Sequence, residues 1–407
     1  MNYRTDVKTG NKLSVLGFGC MRFPRTRGLI DIAKSEKMIL DAVNKGVNYF
    51  DTAYIYPGSE EATGLIIAKN NLRQKIFLAT KLPIFLCHNY GDFDKFFNKS
   101  LERLKTDYID YYLMHMVSAP QQWKQLCDIG IEKWIDEKKK EGKIRQLGFS
   151  FHGKREDFVG IIDMRDWDFT MIQYNYLDIN NQAGNSGLKY AANKKIPVFV
   201  MEPLLGGRLA NAKVLPPKVQ NVIRQADSAS TPAYWALRWL WNHEEITLVL
   251  SGMSRQSDID ENIKTAQISA PNTMTPKELE TVEKIISAFN ESNEIPCTGC
   301  GYCAPCPRGV NISGSFTSYN IYNMSFTIKK IYAFRRYVQE TAALTSSKGL
   351  ASSCNGCGKC ETHCPQNIKI RDNLKKVKKR LEPFWFSAVV KCARFFVVAK
   401  SKKAKRA

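Results

Sequence analysis

The chain has 407 residues, of which 44% are hydrophobic, with a formal net charge of +21 and 12 cysteines. Such a length exceeds one ordinary domain, and the apolar content suffices for a large core, which excludes a disordered or fibrous chain. No apolar run reaches the roughly 18 residues that a spanning helix needs, and "MNYRTDVKTG" at the start has no leader core. A cytoplasmic location is therefore expected, with the cysteines as thiols or metal ligands rather than a disulfide framework.

Taken in order, the first 290 or so residues alternate short apolar runs with amphipathic stretches. The strand-like runs are 13–19, 47–53, 75–81, 108–115, 144–150, 169–175, 196–202 and 246–252. Helical patterns fall at 35–46, 59–70, 93–105, 126–142, 156–164, 187–195 and 231–244. Runs that are apolar throughout, not alternating, are those of strands buried on both faces. Eight strand–helix units predict an α/β fold of the (β/α)8 TIM-barrel type. An open doubly wound sheet is the structural rival, but no Gly-x-Gly-x-x-Gly follows an early strand.

Chemistry on such a barrel gathers at the C-terminal ends of its strands. Those ends carry Asp51, Tyr56 just beyond the second strand, Lys81 and His115. Singly, each has a plain structural reading, an aspartate as a turn cap or a lysine as a solvated charge. Together they place four polar groups around one mouth.

Two cysteine runs follow the barrel, "CTGCGYCAPCPRG" from 297 and "CNGCGKCETHCPQN" from 354. The second, with Cys354, Cys357, Cys360, Cys364 and Pro365, matches the C-x2-C-x2-C-x3-C-P spacing of bacterial [4Fe–4S] ligation. Structural zinc would leave its third cysteine without a role. The first run, Cys297, Cys300, Cys303 and Cys306, is one residue short of that spacing. Two [4Fe–4S] clusters are expected. In two-cluster ferredoxins the fourth cysteine ligates the other cluster. That rule groups Cys297, Cys300, Cys303 and Cys364, and separately Cys354, Cys357, Cys360 and Cys306; self-contained runs are the alternative. The insert 316–340 reads as helical, and Cys20, Cys87, Cys127 and Cys392 read as unligated.

The order of "GVNYFDTAYIYPGSEEATG", "LATKLP", "DYIDYYLMH", "RQLGFS", "IQYNYLD" and "LSGMSRQSDIDENI" resembles the aldo/keto reductase family over residues 3–290. The cysteine-rich tail is similar to the ferredoxin-type extension of one branch of that family. The resemblance implies reversible hydride exchange between a nicotinamide and a small carbonyl substrate, with Asp51, Tyr56, Lys81 and His115 as the tetrad. A carbonyl that gains hydride develops alkoxide charge, so a phenol must donate a proton as that charge grows. A lysine ammonium beside the phenol favours phenolate, and a carboxylate holds the lysine.

The resemblance further implies that Ser150 and Asn175 hold the carboxamide, with Gln173 in support and Tyr176 nearby. Met201 stands where the family stacks an aromatic ring on the nicotinamide. Met201 through Leu205, with Gly206 and Gly207, then forms the loop around the pyrophosphate. Ser254, Arg255, Gln256 and Asn262 fall at the adenosine half. Gly252 and Met253 replace the family's Lys-Ser pair at the 2′-phosphate, and Asp258 replaces an arginine, with Arg255 as the available compensation. The segment leaves NADP, NAD and a flavin nucleotide (FMN) open.

These readings divide the chain into a reductase barrel at 1–292, a ferredoxin-type domain at 293–380 and a basic, apolar tail at 381–407. The basic stretches 369–383 and 399–407 suit an acidic redox partner such as a ferredoxin or flavodoxin. Nucleic acid is not indicated, since no finger, helix-turn-helix or arginine-rich pattern occurs. For "PFWFSAVVKCARFFVVAK" two placements are open, packing back on the domain or peripheral contact with a membrane.

Overall fold

The computed structural model describes residues 1–153, 155–207, 209–212, 215–227, 230–297, 303–323, 327–341, 349–364, 367–388 and 390. Eight strands form the first unit: β1 Leu16–Gly19, β2 Tyr49–Asp51, β3 Phe77–Leu82, β4 Ile109–Val117, β5 Ile144–Phe151, β6 Phe169–Gln173, β7 Val198–Met201 and β8 Ile246–Ser251. Each pairs in parallel with its neighbours, and β8 pairs with β1 to close the barrel. The eight apolar runs thus become eight strands, each within a few residues of its expected bounds.

Helices fill the returns between strands. They are α1 Ile32–Asn44, α2 Ser59–Lys69, α3 Tyr90–Leu104, α4 Pro120–Asp128, α5 Ile131–Lys140, α6 Arg155–Ile162, α7 Gly184–Asn193, α8 Pro217–Ala226, α9 Pro232–Trp241, α10 Gln256–Ile268 and α11 Pro276–Glu291. Local chemistry sets several starts. The Asp31 side chain accepts the Lys34 N–H before α1, and Thr231 accepts that of Tyr234 before α9. The single helix expected over 126–142 is two, because Gly130 adopts φ +90° and ends one turn before α5 begins. Three helices, α8, α10 and α11, had no counterpart among the helical patterns.

Two apolar layers hold the barrel. One lies between strands and outer helices, with Phe97, Tyr112 and Trp134 packed ring on ring. The other fills the interior with Tyr49, Tyr111, Phe169 and Phe199, beneath which Leu13 is inserted. Leu13 belongs to an antiparallel hairpin, Tyr3–Thr5 with Lys12–Ser14, so the expected strand at 13–19 breaks at Val15. Within that hairpin, buried Asp6 accepts the Tyr111 hydroxyl at 2.8 Å, and Asn11 donates to the same oxygen at 3.1 Å. The hairpin seals the N-terminal end, which leaves the C-terminal end as the open mouth.

A second unit holds α8 and residues from 283 onward, whereas the first comprises 1–212 and 229–282. This packing division falls inside α11, which ends just before residue 292. The second unit also contains α12 Ile312–Asn323, α13 Thr327–Glu340, α14 Lys359–Thr362 and α15 Ile370–Leu381. The insert between the cysteine runs is therefore helical, as α12 and α13. One apolar cluster unites Ile295, Phe316, Tyr337, Leu374 and Val377. Phe386 packs on Phe334 and Tyr337, so the tail returns to its own unit at that point, while 391–407 and Cys392 lie outside the described residues. Among the described residues no helix is long and apolar enough to cross a membrane.

Candidate active site

Asp51 ends β2, Lys81 lies near the end of β3, and His115 projects from β4. Tyr56 sits in the turn between β2 and α2. That turn is closed by a 2.8 Å hydroxyl contact between Thr52 and Ser59, and the Ser59 hydroxyl donates to the Cys20 carbonyl at 3.0 Å. Lys81 Nζ donates to Asp51 Oδ1 at 2.5 Å and to the Thr52 carbonyl at 2.6 Å. The same ammonium lies 5.3 Å from the centre of the Tyr56 ring, and the Tyr56 and His115 rings meet edge-on at 5.9 Å. The structure brings all four residues together.

Burial dominates their electrostatics. It penalises the Lys81 ammonium, but Asp51, with Tyr56 behind it, more than offsets the penalty and the net direction is upward. Burial also raises the Tyr56 phenol above its ordinary value, while Lys81 pulls in the opposite direction. The expected drift toward phenolate is thus reversed in the free protein, and Tyr56 holds its proton at neutral pH. Burial and Lys81 drive His115 well below its ordinary value, with His152 contributing. Asp51 Oδ2 and His115 Nδ1 are buried without a hydrogen-bond partner. Buried polar atoms of that kind ask for a ligand.

His152 is a residue that the strand-end reading passed over. It lies one residue past β5, its N–H donates to the Val117 carbonyl at 2.9 Å, and a Cβ on the next residue, Gly153, would stand 1.9 Å from the Ser118 carbonyl oxygen. The glycine lets the two loops touch and turns His152 toward the mouth. A signal was available, since the chain has five histidines and this one follows a strand end directly. Burial and Lys81 bring its pKa down to about 4. Because the unfolded chain takes up this proton near pH 6.5, His152 favours the fold fully above that pH, and the contribution fades between 6.5 and about 4. We expect thermal stability to fall across that window. His152→Gln should flatten the fall by up to about 3 kcal/mol, read as Tm against pH for both proteins; identical profiles would refute the assignment.

Residues 15–286 match the aldo/keto reductase family model, two-thirds of the chain. The chain belongs to the aldo/keto reductase family. Residues 296–369 match a 4Fe-4S dicluster domain, so a ferredoxin-type domain follows the reductase domain in one chain. L-galactose dehydrogenase of Arabidopsis thaliana is 28% identical over 68% of this chain and 92% of its own length. An aldo-keto reductase of Mycobacterium avium is 26% identical over 67% and 86%. Among solved structures, the aldo-keto reductase of Bacillus halodurans in its holo form superposes with TM-score 0.58 at 24% identity, covering 70% of this chain and 96% of that one. That of Klebsiella pneumoniae in complex with NADPH gives 0.58 at 20%, covering 70% and 95%. The likeness to these structures is one of fold.

The reductase mouth fits a nicotinamide dinucleotide on its own geometry. Asn175 accepts the Leu177 and Asp178 N–H groups through Oδ1, which leaves its buried Nδ2 without a partner. Ser150, on the neighbouring strand β5, accepts the Met116 N–H at 2.9 Å, holding the irregularity of β4 where Met116 takes φ +64°. Both ends of the Gln173 amide are engaged, by Asp178 and Gln182. Met201 ends β7, and Leu205, Gly206 and Gly207 all take positive φ in the turn that follows. A Cβ on Gly207 would meet nothing within 4 Å, so its backbone is open to a close ligand.

At the exit of β8, Asn262 donates to the Ser251 hydroxyl at 3.0 Å, and Gln256 is bonded to Asp41. Asp258 accepts the Ser254 and Arg255 N–H groups and the Arg255 guanidinium, the last at 2.7 Å. Arg255 is therefore engaged by Asp258 in the free protein.

Within the second unit no disulfide joins the described cysteines. Cys297, Cys303, Cys306, Cys354, Cys360 and Cys364 are half-buried against its apolar cluster, Cys357 is exposed, and Cys300 and Pro365 lie outside the described residues. Burial raises the Cys360 thiol, and both Cys354 and Cys306 add to the rise, so a cysteine of the first run lies within the electrostatic reach of the second. Among the described residues no three such groups converge at metal-holding distance. The donor set, soft thiols in an apolar setting, is that of an iron–sulfur protein.

Proposed function

We propose that this chain reduces an aldehyde or ketone with NAD(P)H at Asp51, Tyr56, Lys81 and His115, and that its eight paired cysteines hold two [4Fe–4S] clusters. One observation carries the reading: a half-buried phenol whose ring centre lies 5.3 Å from the ammonium of a buried lysine–aspartate pair. The nicotinamide, when bound, supplies the electron pair and hydrogen for the carbonyl carbon. Tyr56 then donates its proton to the carbonyl oxygen. The Lys81 ammonium lowers the cost of the phenolate left behind, and Asp51 keeps that ammonium charged and aimed. His115, neutral at working pH, offers a ring edge to the carbonyl oxygen without a competing positive charge. Asn175 Nδ2 is the donor available to the carboxamide, and the turn Leu205–Gly207 offers backbone N–H groups to phosphate oxygens.

For the clusters the crossed arrangement is the one proposed, since in two-cluster ferredoxins the fourth cysteine of each run ligates the other cluster. The basic face of α15, with Lys378 and Lys379 exposed, suits an acidic one-electron partner such as a ferredoxin or flavodoxin. The location proposed is the cytoplasm, where thiols and clusters of this kind persist.

The cofactor decides between this reading and a flavin-dependent one. Mass spectrometry of the material released from anaerobically purified protein should show no stoichiometric flavin, and NADPH or NADH should bind with micromolar affinity. Release of FMN at near one per chain would overturn the nicotinamide reading. The substrate's reactive group is named by this chemistry.

A further inference from the structure

The chain that leaves α15 makes a turn whose corners are aromatic. The Phe386 N–H donates to the Pro383 carbonyl at 2.8 Å, which puts Phe384 and Trp385 at the two central positions. Phe386 and Val390 then enter the apolar cluster of the second unit. Turn corners ordinarily go to glycine, proline or small polar residues. Phe384 is instead 95% exposed, more than any other large apolar side chain among the described residues. Trp385 is 43% exposed and rests its ring on Phe334 of α13, with centroids 5.3 Å apart. One turn earlier on the same face of α13, Ile331 is 63% exposed. Packing accounts for Phe386, but it does not account for Phe384 or Ile331.

The charge beside this patch has one sign. Lys330 of α13 and Arg380 of α15 are exposed and reach the Tyr322 ring, 5.5 and 5.9 Å from its centre. From residue 373 onward the sequence contains a single acidic residue, Glu382. Its carboxylate is engaged inward, where it accepts the Tyr337 hydroxyl and, at 3.1 Å, the Ser352 N–H. Glu294, near the same end of α12, is held by Tyr319, Asn323 and Lys376. Neither carboxylate is free to cancel Lys330 or Arg380. Past the described residues the sequence continues as "KCARFFVVAKSKKAKRA", apolar residues between cations.

We infer that this face, with Ile331, Phe384 and Trp385 beside Lys330 and Arg380, docks the protein on an anionic lipid bilayer. An aromatic wedge next to cations matches a membrane surface, where hydrocarbon lies directly beneath negative headgroups. An acidic protein would satisfy the cations, but the apolar residues would then need a socket of matching shape. A bilayer supplies both without one. Apolar insertion and headgroup attraction act together here, since either alone holds a protein only weakly. The contact is peripheral, because no helix among the described residues is long and apolar enough to cross. The inference stands apart from the reductase chemistry and from the choice of nucleotide.

Flotation of the full-length, anaerobically purified protein with vesicles of equimolar phosphatidylglycerol and phosphatidylcholine tests it. The natural chain should float with these vesicles, bind pure phosphatidylcholine at least about 10-fold more weakly, and detach as salt rises. Phe384→Ser combined with Ile331→Ser should weaken binding by about 10- to 100-fold. Both side chains are exposed, so the Tm and iron content of that protein should match those of the natural chain. Arg380→Gln combined with Lys330→Gln should also weaken binding and should reduce its dependence on salt. Absence of vesicle binding by the natural chain would overturn the inference. So would binding that the Phe384→Ser, Ile331→Ser protein retains in full, which places the lipid contact elsewhere, on residues 391–407 if their removal abolishes it. If no vesicle binds and the same two changes abolish self-association or binding to an acidic flavodoxin, the face belongs to a second copy or to a protein partner, and the inference fails.

Discussion

Tyr56→Phe is expected to lower kcat/KM for carbonyl reduction by about 10²- to 10⁴-fold, the usual worth of a positioned general acid, while leaving NADPH affinity nearly unchanged. The reason lies in the mouth itself. Lys81 is fixed on Asp51 and Thr52, and His115 is held neutral by burial and Lys81. Neither can replace the phenol as proton donor. Since burial holds the Tyr56 phenol above its ordinary value, reduction should stay level from neutral pH to beyond pH 9. Oxidation of the alcohol, which needs phenolate, should rise over the same range. Lys81→Met should be comparably damaging to turnover and should also cost about 3–5 kcal/mol of stability, because it strands the buried Asp51 carboxylate. Activity within a few-fold of the natural protein for Tyr56→Phe, with Tm and nucleotide binding intact, would dispose of the mechanism.

Removal of iron–sulfur ligands should have the second large effect. Protein purified without oxygen should be brown and carry about eight iron and eight acid-labile sulfides per chain, four for each cysteine set. Ligand crossing can be read from a pair of variants. If Cys306 belongs with Cys354, Cys357 and Cys360, then Cys306→Ala and Cys357→Ala damage one cluster, and combining them leaves the other intact at about four iron. If each run keeps its own cluster, the combination damages both and the iron falls toward zero. Iron content with low-temperature electron paramagnetic resonance separates the cases. Zinc in place of iron at the run from Cys297 would remove that run from the cluster proposal.

Much of the barrel was legible because its strands are buried on both faces, and burial writes apolar runs whatever the surrounding helices do. The tetrad was legible for a related reason: Asp51, Lys81 and His115 are polar residues at the ends of those runs, and such an end has few uses beyond chemistry. His152 escaped because it lies two residues past the last strand residue counted, Ser150, and only the approach of Gly153 to Ser118 turns it inward. The N-terminal hairpin escaped because Leu13 and Leu16 read as one apolar run, although they enter the barrel from different elements. The direction of the Tyr56 shift could not be had from residue types. Lysine beside tyrosine argues for phenolate, and only burial shows the opposite outcome. Arg255 was read as the cation available to compensate for Asp258 at the cofactor, whereas Asp258 itself holds that guanidinium, together with two backbone N–H groups.

The membership of α8 in the second unit bears on how this chain was assembled. A domain added at the end of a barrel would be joined to it by one covalent link and could be cut away there. Here the chain leaves the reductase unit after residue 212, contributes α8, returns by residue 229, and leaves again after 282. In the second unit α8 joins Lys218 to Glu291 at 3.2 Å and buries Val219 and Ile223. A fragment ending at residue 282 would keep α8 but lose Glu291, and the complementary fragment would lack one of its helices. The packing units thus cut across the reductase segment 15–286, to which α8 belongs, so a cut placed to free the second unit would take a helix out of that segment.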